Sequence, residues 1–277
     1  MSFELGPVID YGLSETTALL NRGFADYFVK IEFSVASLLH MVRYDGIDMT
    51  SSRVVLQDGE AVGVALIARR GWTSRLAGMA IVPEGRGKGV GKWLMEQLIA
   101  EAKERSERTM VLEVIEQNTA GVRLYQGSGF RVLRQLVGYA ASEIEIDGGI
   151  EKELNEIDTR QAASMVTMYG LPDLPWQISG ESVAQTGPPS RAYQMGSAHI
   201  AISDPKRSHV AIRTIVVEPE SRRQGQATRL LRAVMAKYPG KRWIVSALCP
   251  AEIGIVFEKV GFEKGDLSQL QMALELQ

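Results

Sequence analysis

The sequence has little of several residue types and patterns that would point to particular functions. Its 277 residues include one cysteine and three histidines, so no internal disulfide can form and no metal site is expected. The 31 basic and 33 acidic residues give a net charge of -2, too balanced for a global field that attracts nucleic acid or anionic lipid. No apolar run approaches the ~18 residues of a membrane span, and the start lacks a secretory pattern. These absences predict a cytoplasmic protein that binds neither nucleic acid nor membrane.

One pattern occurs twice in the chain. Each copy has a short apolar run, a Pro-Glu pair, a basic loop and an amphipathic helix, beginning at Met79 and again at Ile215. Gly89 corresponds to Gly225, and the two positions are roughly 135 residues apart. A repeat of this length is the size of a domain and too long for a solenoid. We therefore predict a tandem duplication with domains over 1–148 and 149–277, divided at a turn over 147–149.

Hydrophobic periodicity predicts the elements of each half. Helices are expected over 15–28 and 34–44 and after each basic loop. Strands are expected over 53–57, 62–69, 75–82, 110–114 and 242–247, with an alternating pattern over 130–145. Asp58-Gly59 and Arg70-Gly71 predict hairpin turns. The proline-containing stretch 170–191 is predicted to be irregular, as a surface loop or an active-site lid.

The first basic loop has the composition of an anion site. Residues 86–91 read Arg-Gly-Lys-Gly-Val-Gly between a predicted strand and a helix. Glycines let backbone amides turn toward one ligand, and a helix start adds its positive end. Trp93 follows Gly91-Lys92, so the Ser/Thr of a P-loop is missing, and the glycine spacing does not fit a dinucleotide fold. A phosphate site and a plain tight turn both remain open on these residues alone.

Two motifs carry a resemblance to a known family. The pattern Arg86-x-x-Gly89-x-Gly91 after an apolar strand resembles the acetyl-CoA pyrophosphate motif of the GNAT superfamily of N-acetyltransferases. The run over 112–118, followed by Leu124-Tyr125 and Gly129-Phe130, resembles its second signature, nearest to the ribosomal-protein alanine acetyltransferases. The likeness covers about 62–137 and returns with weaker motifs over about 198–262. It implies an α/β (α+β) fold of two GNAT-like domains, each a mixed, mostly antiparallel sheet flanked by helices.

The resemblance also implies an active site in the first half, with acetyl-CoA as co-substrate and no metal. Glu113 would be the general base that takes the proton of the amine, directly or through water. Tyr125 would face the thioester sulfur and donate a proton to the leaving thiolate. The alternatives are a solvated carboxylate on an edge strand and an aromatic ring packed on the sheet. The implied cofactor-binding residues are Ala80, Ile81, Val82, Arg86, Gly87, Lys88, Gly89, Val90, Gly91, Lys92 and Asn118.

The second copy keeps the loop and loses the polar residues. Arg222, Gly225 and Ala227 preserve the loop pattern. The positions of the base, the amide and the acid hold Val245, Pro250 and Phe257. We therefore predict a catalytically silent, degenerate GNAT-like domain, which either binds CoA or does not. A further possibility is that it provides an interface in place of a homodimer partner.

The function predicted from the sequence is direct acetyl transfer from acetyl-CoA to a primary amine of a small molecule or a peptide N-terminus. The alternative is a non-catalytic acyl-CoA-binding sensor or interaction module. The presence of Glu113, Asn118 and Tyr125 together favours the enzyme. The aromatic residues over 24–28 either shape an acceptor pocket or pack in the core, and Cys249 is expected to be a buried small hydrophobe. The chain is expected to be a monomer or a homodimer.

Overall fold

The computed structural model describes residues 2–142, 144, 146 and 148–276. The chain forms two compact units: unit 1 comprises Met1–Leu133 with Leu270–Gln277, and unit 2 comprises Arg134–Gln269. This division differs from a simple cut near Gly148, because strands from each half of the sequence complete the other unit. Of the turn predicted over 147–149 and the strand predicted over 130–145, positions 143, 145 and 147 lie outside the described residues.

Unit 1 is built on a sheet of six strands. In spatial order these are β1 (Phe3–Pro7), β2 (Arg53–Gln57), β3 (Glu60–Arg70), β4 (Thr73–Ile81), β5 (Thr109–Ile115) and the last residues of β12 (Glu263–Glu275). The first four are antiparallel neighbours, and β4 and β5 are parallel. The predicted strands over 53–82 are therefore confirmed. Asp58 and Gly59 have positive φ angles of 53° and 85°, as a tight hairpin turn between β2 and β3 requires.

Strands β4 and β5 pair only over part of their length. Their parallel register joins Thr73–Leu76 to Thr109–Leu112 and, over the described residues, goes no further. At the same point the β3–β4 register shifts, because Leu66 pairs with Gly78 and Ile67 with Leu76. A bulge of this kind bends the strand that carries the extra residue. The second halves of β4 and β5 thus form the sides of an opening in the sheet.

Four helices pack in unit 1: α1 (Leu13–Gly23), α2 (Val35–Met41), α3 (Val90–Glu104) and α4 (Thr119–Gly127). Helix α1 ends at Gly23 and not at position 28 as predicted from periodicity. A Cβ atom placed at Gly23 would lie 2.5 Å from the Cβ of Ala80, so glycine lets the helix end approach β4. Residues 24–34 then form a loop, called the aromatic loop below. Helix α3 buries Val90, Leu94, Leu98 and Ala102 on one face, as its spacing predicts.

Unit 2 repeats this plan. From one edge of its sheet to the other, the first residues of β12 are followed by β6 (Arg131–Ala141), β11 (Arg242–Pro250), β10 (His209–Val217), β9 (Ala198–Ile202), β8 (Arg191–Met195) and β7 (Asn155–Ile157). Its helices are α5 (Thr159–Tyr169), α6 (Gly180–Ala184), α7 (Gln226–Lys237) and α8 (Ile255–Glu258). Strands β10 and β11 are parallel only over His209–Ile212 and Arg242–Val245, and β10 carries the equivalent bulge. The shared plan supports the duplication inferred from the repeat.

Two expectations for unit 2 have different outcomes. The stretch 170–191 is not wholly irregular, because Ser179 caps α6 and a short 3-10 turn precedes it.

Cys249 is buried, as expected, and burial raises the pKa of its thiol to about 12. A thiol that stays protonated near neutral pH is a poor nucleophile.

Candidate active site

The loop before α3 has the backbone geometry of an anion site. Gly87 and Gly89 adopt positive φ angles of 73° and 83°, and Gly89 is the N-cap of the helix. The first turn of α3 follows directly, with the Trp93 amide bonded to the Gly89 carbonyl at 3.0 Å. Because the first amides of a helix have no carbonyl one turn earlier, those of Val90 and Gly91 point to the helix entrance. The positive end of the helix dipole adds to the attraction of an anion there.

Helix α4 lies against this loop and β4. A Cβ atom placed at Gly91 would be 3.4 Å from Leu124 Cδ2 and 3.8 Å from Met79 Cε. The start of α3, the end of β4 and the middle of α4 therefore converge. Tyr125 follows Leu124 in α4, so the predicted acid is one residue along the chain from this contact.

At the end of β4, the backbone amides and carbonyls of successive residues point alternately toward β3 and toward the opening beside β5. The Val82 amide donates to the Val62 carbonyl at 2.9 Å, and Ala80 is in register with Val64. Since hydrogen-bonded and free pairs alternate along antiparallel strands, Ala80 and Val82 direct their polar groups to β3. Ile81 and Met79 direct theirs to the opposite side, where β5 has parted. Of the three predicted pantetheine partners, only Ile81 faces the opening, and Met79 joins it.

The Arg86 side chain is hydrogen-bonded to two backbone carbonyls. Its Nε donates to the Ile81 carbonyl at 3.0 Å, and its Nη2 donates to the Gly23 carbonyl at 2.9 Å. Asp26 lies 3.8 Å from its Nη1. The guanidinium is thus held against two backbone carbonyls and beside one carboxylate, and its predicted role in cofactor binding stays a prediction. For Lys88, Lys92 and the loop amides, cofactor binding stays a prediction from the sequence.

Asn118 connects three segments of the site. It is the N-cap of α4, and its Oδ1 accepts from the Gly121 amide at 3.0 Å. Its side chain is also hydrogen-bonded to Tyr27 of the aromatic loop. Burial raises the pKa of Tyr27, and this hydrogen bond lowers it. One side chain thus caps α4 through Gly121 and contacts Tyr27 of the aromatic loop.

Tyr125 combines a packed ring with a protonated hydroxyl. Its ring makes an edge contact with Phe130, with centroids 6.1 Å apart. Burial raises the pKa of Tyr125 well above its ordinary value, and the nearby Tyr27 adds to this effect. The hydroxyl therefore carries its proton at neutral pH, which a general acid requires.

Glu113 is neither a solvated carboxylate nor an isolated one. Its Oε2 accepts from Arg75 Nε at 2.8 Å, with the side chains only 3% and 5% exposed. Arg75 Nη1 also lies 3.7 Å from the Asp45 carboxylate. Burial raises the pKa of Asp45, and the charge of Arg75 opposes that shift. Among the described residues, Oε1 of Glu113 has no hydrogen-bond partner, although it too is buried. Arg75 thus anchors one carboxylate oxygen, and the other is enclosed and unpaired.

The aromatic loop forms a cluster of rings at the edge of this region. Phe24 contacts Tyr27 and Phe33 with centroids 5.0 and 5.7 Å away, and Tyr27 contacts Phe28 at 5.5 Å. Asn21 holds the end of the loop by bonds to the amide and carbonyl of Phe33. Phe28 is 54% exposed, so simple core packing does not describe the cluster. The sequence signalled these rings but not the bond from Tyr27 to Asn118.

The loop before α3 can hold an anionic group at the start of that helix. The edge of β4, where β5 has separated from it, lies beside this position. The chain belongs to the acetyltransferase (GNAT) family: the family model matches residues 26–130 and 192–247, together more than half of the chain. The match falls once in each repeat. None of the described helices is both long and apolar enough to cross a membrane.

Known structures share the fold at low sequence identity. A GCN5-related N-acetyltransferase from Sphaerobacter thermophilus is 15% identical, with a TM-score of 0.72 over 99% of this chain and 96% of that chain. A tandem GNAT protein from the clavulanic acid biosynthesis pathway is 15% identical, with a TM-score of 0.67 over 100% and 99% of the two chains. At this identity the likeness shows the fold alone.

Curated relatives match a shorter segment. Streptothricin acetyltransferase from Streptomyces lavendulae is 33% identical over 26% of this chain and 40% of its own length. The L-methionine sulfoximine/L-methionine sulfone acetyltransferase from Salmonella typhimurium is 39% identical over 20% of this chain and 32% of its own length. The chain thus spans less than half the length of these relatives.

Proposed function

We propose that this protein transfers an acetyl group from acetyl-CoA to a primary amine, and that unit 1 carries the reaction. The observation that supports this most is the convergence of the α3 loop, the free edge of β4 and Tyr125 of α4. The loop amides would hold the pyrophosphate, and the main chain of Met79 and Ile81 would hold the pantetheine arm. Asn118 would bind near that arm and keep α4 in place. When bound, acetyl-CoA supplies the thioester.

The chain's own residues would manage two protons. The neutral amine attacks the thioester carbon, a C–N bond forms, and the C–S bond breaks. Tyr125 would give its proton to the leaving sulfur. Glu113 would take one proton from the ammonium form before attack, either directly or through one water. The second proton, lost from nitrogen as the amide forms, would restore the Tyr125 hydroxyl. An alkyl amine is almost wholly protonated at pH 7, so a base is needed to generate the attacking form.

The acceptor is proposed to be a small amine. The relatives with matching segments are named for streptothricin and for methionine derivatives, and a third, from Escherichia coli, is named an L-amino acid N-acyltransferase. The aromatic loop would border the acceptor because Tyr27 reaches Asn118. A peptide N-terminus remains the second acceptor class. A cytoplasmic location and a monomeric or dimeric state stay predictions from the sequence.

The proposal is tested by thiol release from acetyl-CoA with a panel of amines. The panel comprises L-amino acids, methionine sulfoximine, streptothricin and a peptide with a free N-terminus. We expect thiol release that depends on one of these amines and equals the acetylated product found by mass spectrometry. Tight CoA binding without turnover on any amine would instead favour the acyl-CoA sensor.

Unit 2 is proposed to be catalytically silent. Phe257 is buried and stacks on Tyr139 with centroids 5.5 Å apart, so its ring serves packing. Val245 likewise is buried and lacks a carboxylate. The loop geometry persists, because Gly225 caps α7 with a φ of 78°.

Alanine at the two N-cap glycines separates the roles of the units. Gly89 and Gly225 have positive φ angles, and no atom lies within 4 Å of a Cβ placed at either one. The backbone cost of alanine should therefore be similar at both, about 1–2 kcal/mol. We expect Gly89→Ala to raise the KM for acetyl-CoA roughly tenfold and Gly225→Ala to leave it unchanged. An equal rise in both variants in steady-state kinetics would show that unit 2 takes part.

A further inference from the structure

Two arginines at equivalent places in the two units make the same pair of contacts. Arg86 Nε donates to the carbonyl of Ile81, the last residue of β4, and Arg222 Nε donates to the carbonyl of Val217, the last residue of β10, each at 3.0 Å. The Nη2 of each arginine donates to the carbonyl of the last residue of a helix. That residue is Gly23 of α1 in unit 1 and Tyr169 of α5 in unit 2.

These contacts suit the shape of arginine better than that of lysine. The last carbonyls of a helix lack intrahelical partners and carry its partial negative charge. A guanidinium presents several donors in one rigid plane, so it can bond to a helix end and a strand end at once. Lysine has the same charge but concentrates its donors on one flexible nitrogen. The geometry, and not the charge alone, is therefore what these positions use.

We propose that Arg86 is a positioning residue that fixes the phosphate loop to the end of α1, and through it fixes the aromatic loop, without being a ligand of the pyrophosphate. This inference rests on the proposed acetyl transfer in unit 1. Gly23 is followed by Phe24, the first residue of the aromatic loop, and Asp26 of that loop lies 3.8 Å from the guanidinium. Through the ring contact of Phe24 with Tyr27 and the bond of Tyr27 to Asn118, the connection continues to α4.

Unit 2 supports this interpretation. It keeps the arginine and both contacts, although the positions equivalent to Glu113, Asn118 and Tyr125 have lost their polar groups. The contact therefore does not depend on the catalytic side chains, and it has the same form in both units. Arg222 is therefore a matched control within the same chain.

Lysine substitutions separate positioning from phosphate binding. In full-length protein, Arg86→Lys and Arg222→Lys are assayed with acetyl-CoA and with S-acetylpantetheine, which lacks the pyrophosphate. We expect Arg86→Lys to lower kcat/KM about tenfold with both donors, since one hydrogen bond of about 1.4 kcal/mol corresponds to that factor. The KM for the amine should rise as well. Arg222→Lys should leave unchanged the kcat/KM with each donor and the KM for the amine.

A phosphate ligand would behave differently. Lysine would then largely replace arginine with acetyl-CoA, and turnover of S-acetylpantetheine would not change in Arg86→Lys. Either result overturns the proposal. It is also overturned if Arg222→Lys lowers turnover as much as Arg86→Lys does.

A second readout does not depend on turnover. Lys30 lies exposed in the aromatic loop, so trypsin cleavage after Lys30 reports how well the loop is held. We expect cleavage to be several-fold faster in Arg86→Lys than in the wild type, with or without CoA. Unchanged cleavage overturns the positioning role. If the wild type turns over no amine, the proposed function fails, and this measurement still tests the contact.

Discussion

Replacing Tyr125 with phenylalanine is expected to lower kcat by about 10²–10⁴-fold at saturating acetyl-CoA and amine. The leaving thiolate needs a proton, and the Tyr125 hydroxyl carries one at neutral pH because burial and the nearby Tyr27 raise its pKa. Phenylalanine keeps the edge contact with Phe130 and removes only the donor. The KM for acetyl-CoA should therefore change little, and the loss should fall on kcat.

The matched control is Tyr139→Phe in unit 2. Tyr139 is a buried tyrosine, and its hydroxyl donates to the Glu258 carboxylate at 3.3 Å. Its removal costs one hydrogen bond in a unit proposed to be silent, so kcat should stay at the wild-type value. Unchanged turnover in Tyr125→Phe would remove the acid role from Tyr125. A loss in Tyr139→Phe would instead place chemistry in unit 2.

Local signals in the sequence were sufficient for much of the fold. The hairpin turn at Asp58-Gly59 follows from a dipeptide that tolerates positive φ, and the buried face of α3 follows from its helical spacing. The tight turn before α3 was also predictable, because the positive φ angles at Gly87 and Gly89 favour glycine whatever lies elsewhere in the chain. Each of these features depends on residues close together in sequence.

The misses in the site have a common physical origin. The pairing of Arg75 with Glu113 and the bond of Arg86 to Gly23 join residues far apart in the chain. Periodicity assigns a residue to a face but does not say which charged group on a neighbouring element meets it. The early end of α1 was missed for the same reason, since it depends on close approach of Gly23 to Ala80.

The division into units could not be predicted from local sequence patterns either. Residues Leu136–Ala141 of β6 pair with β11, while the amide of Leu276 bonds to the carbonyl of Arg108 in unit 1 at 2.7 Å. The repeat shows that two copies of one plan exist. Which strand completes which sheet is decided by pairing between distant segments, and the sequence pattern of a strand is the same in either sheet.

Replacing Arg75 with methionine is expected to destabilise the protein by about 3–5 kcal/mol, because it leaves the Glu113 carboxylate buried without its cation. The pair is almost fully enclosed, and Asp45 adds a second carboxylate beside it. Urea unfolding at pH 8 measures the loss. Protonation of the orphaned carboxyl would relieve its cost, so the destabilisation should be smaller at pH 5 than at pH 8.

Two further variants show whether the buried charge is the cause. Arg75→Met combined with Glu113→Gln removes both the cation and the orphaned charge, so it should recover part of the stability and lose the difference between pH 5 and pH 8. Arg160→Met breaks the exposed pair with Asp158, whose side chains are 77% and 52% exposed, and should have no measurable effect. If the single and double variants are equally destabilised at both pH values, the cost lies in lost packing. An unpaired buried charge on Glu113 would then not be the cause of the instability.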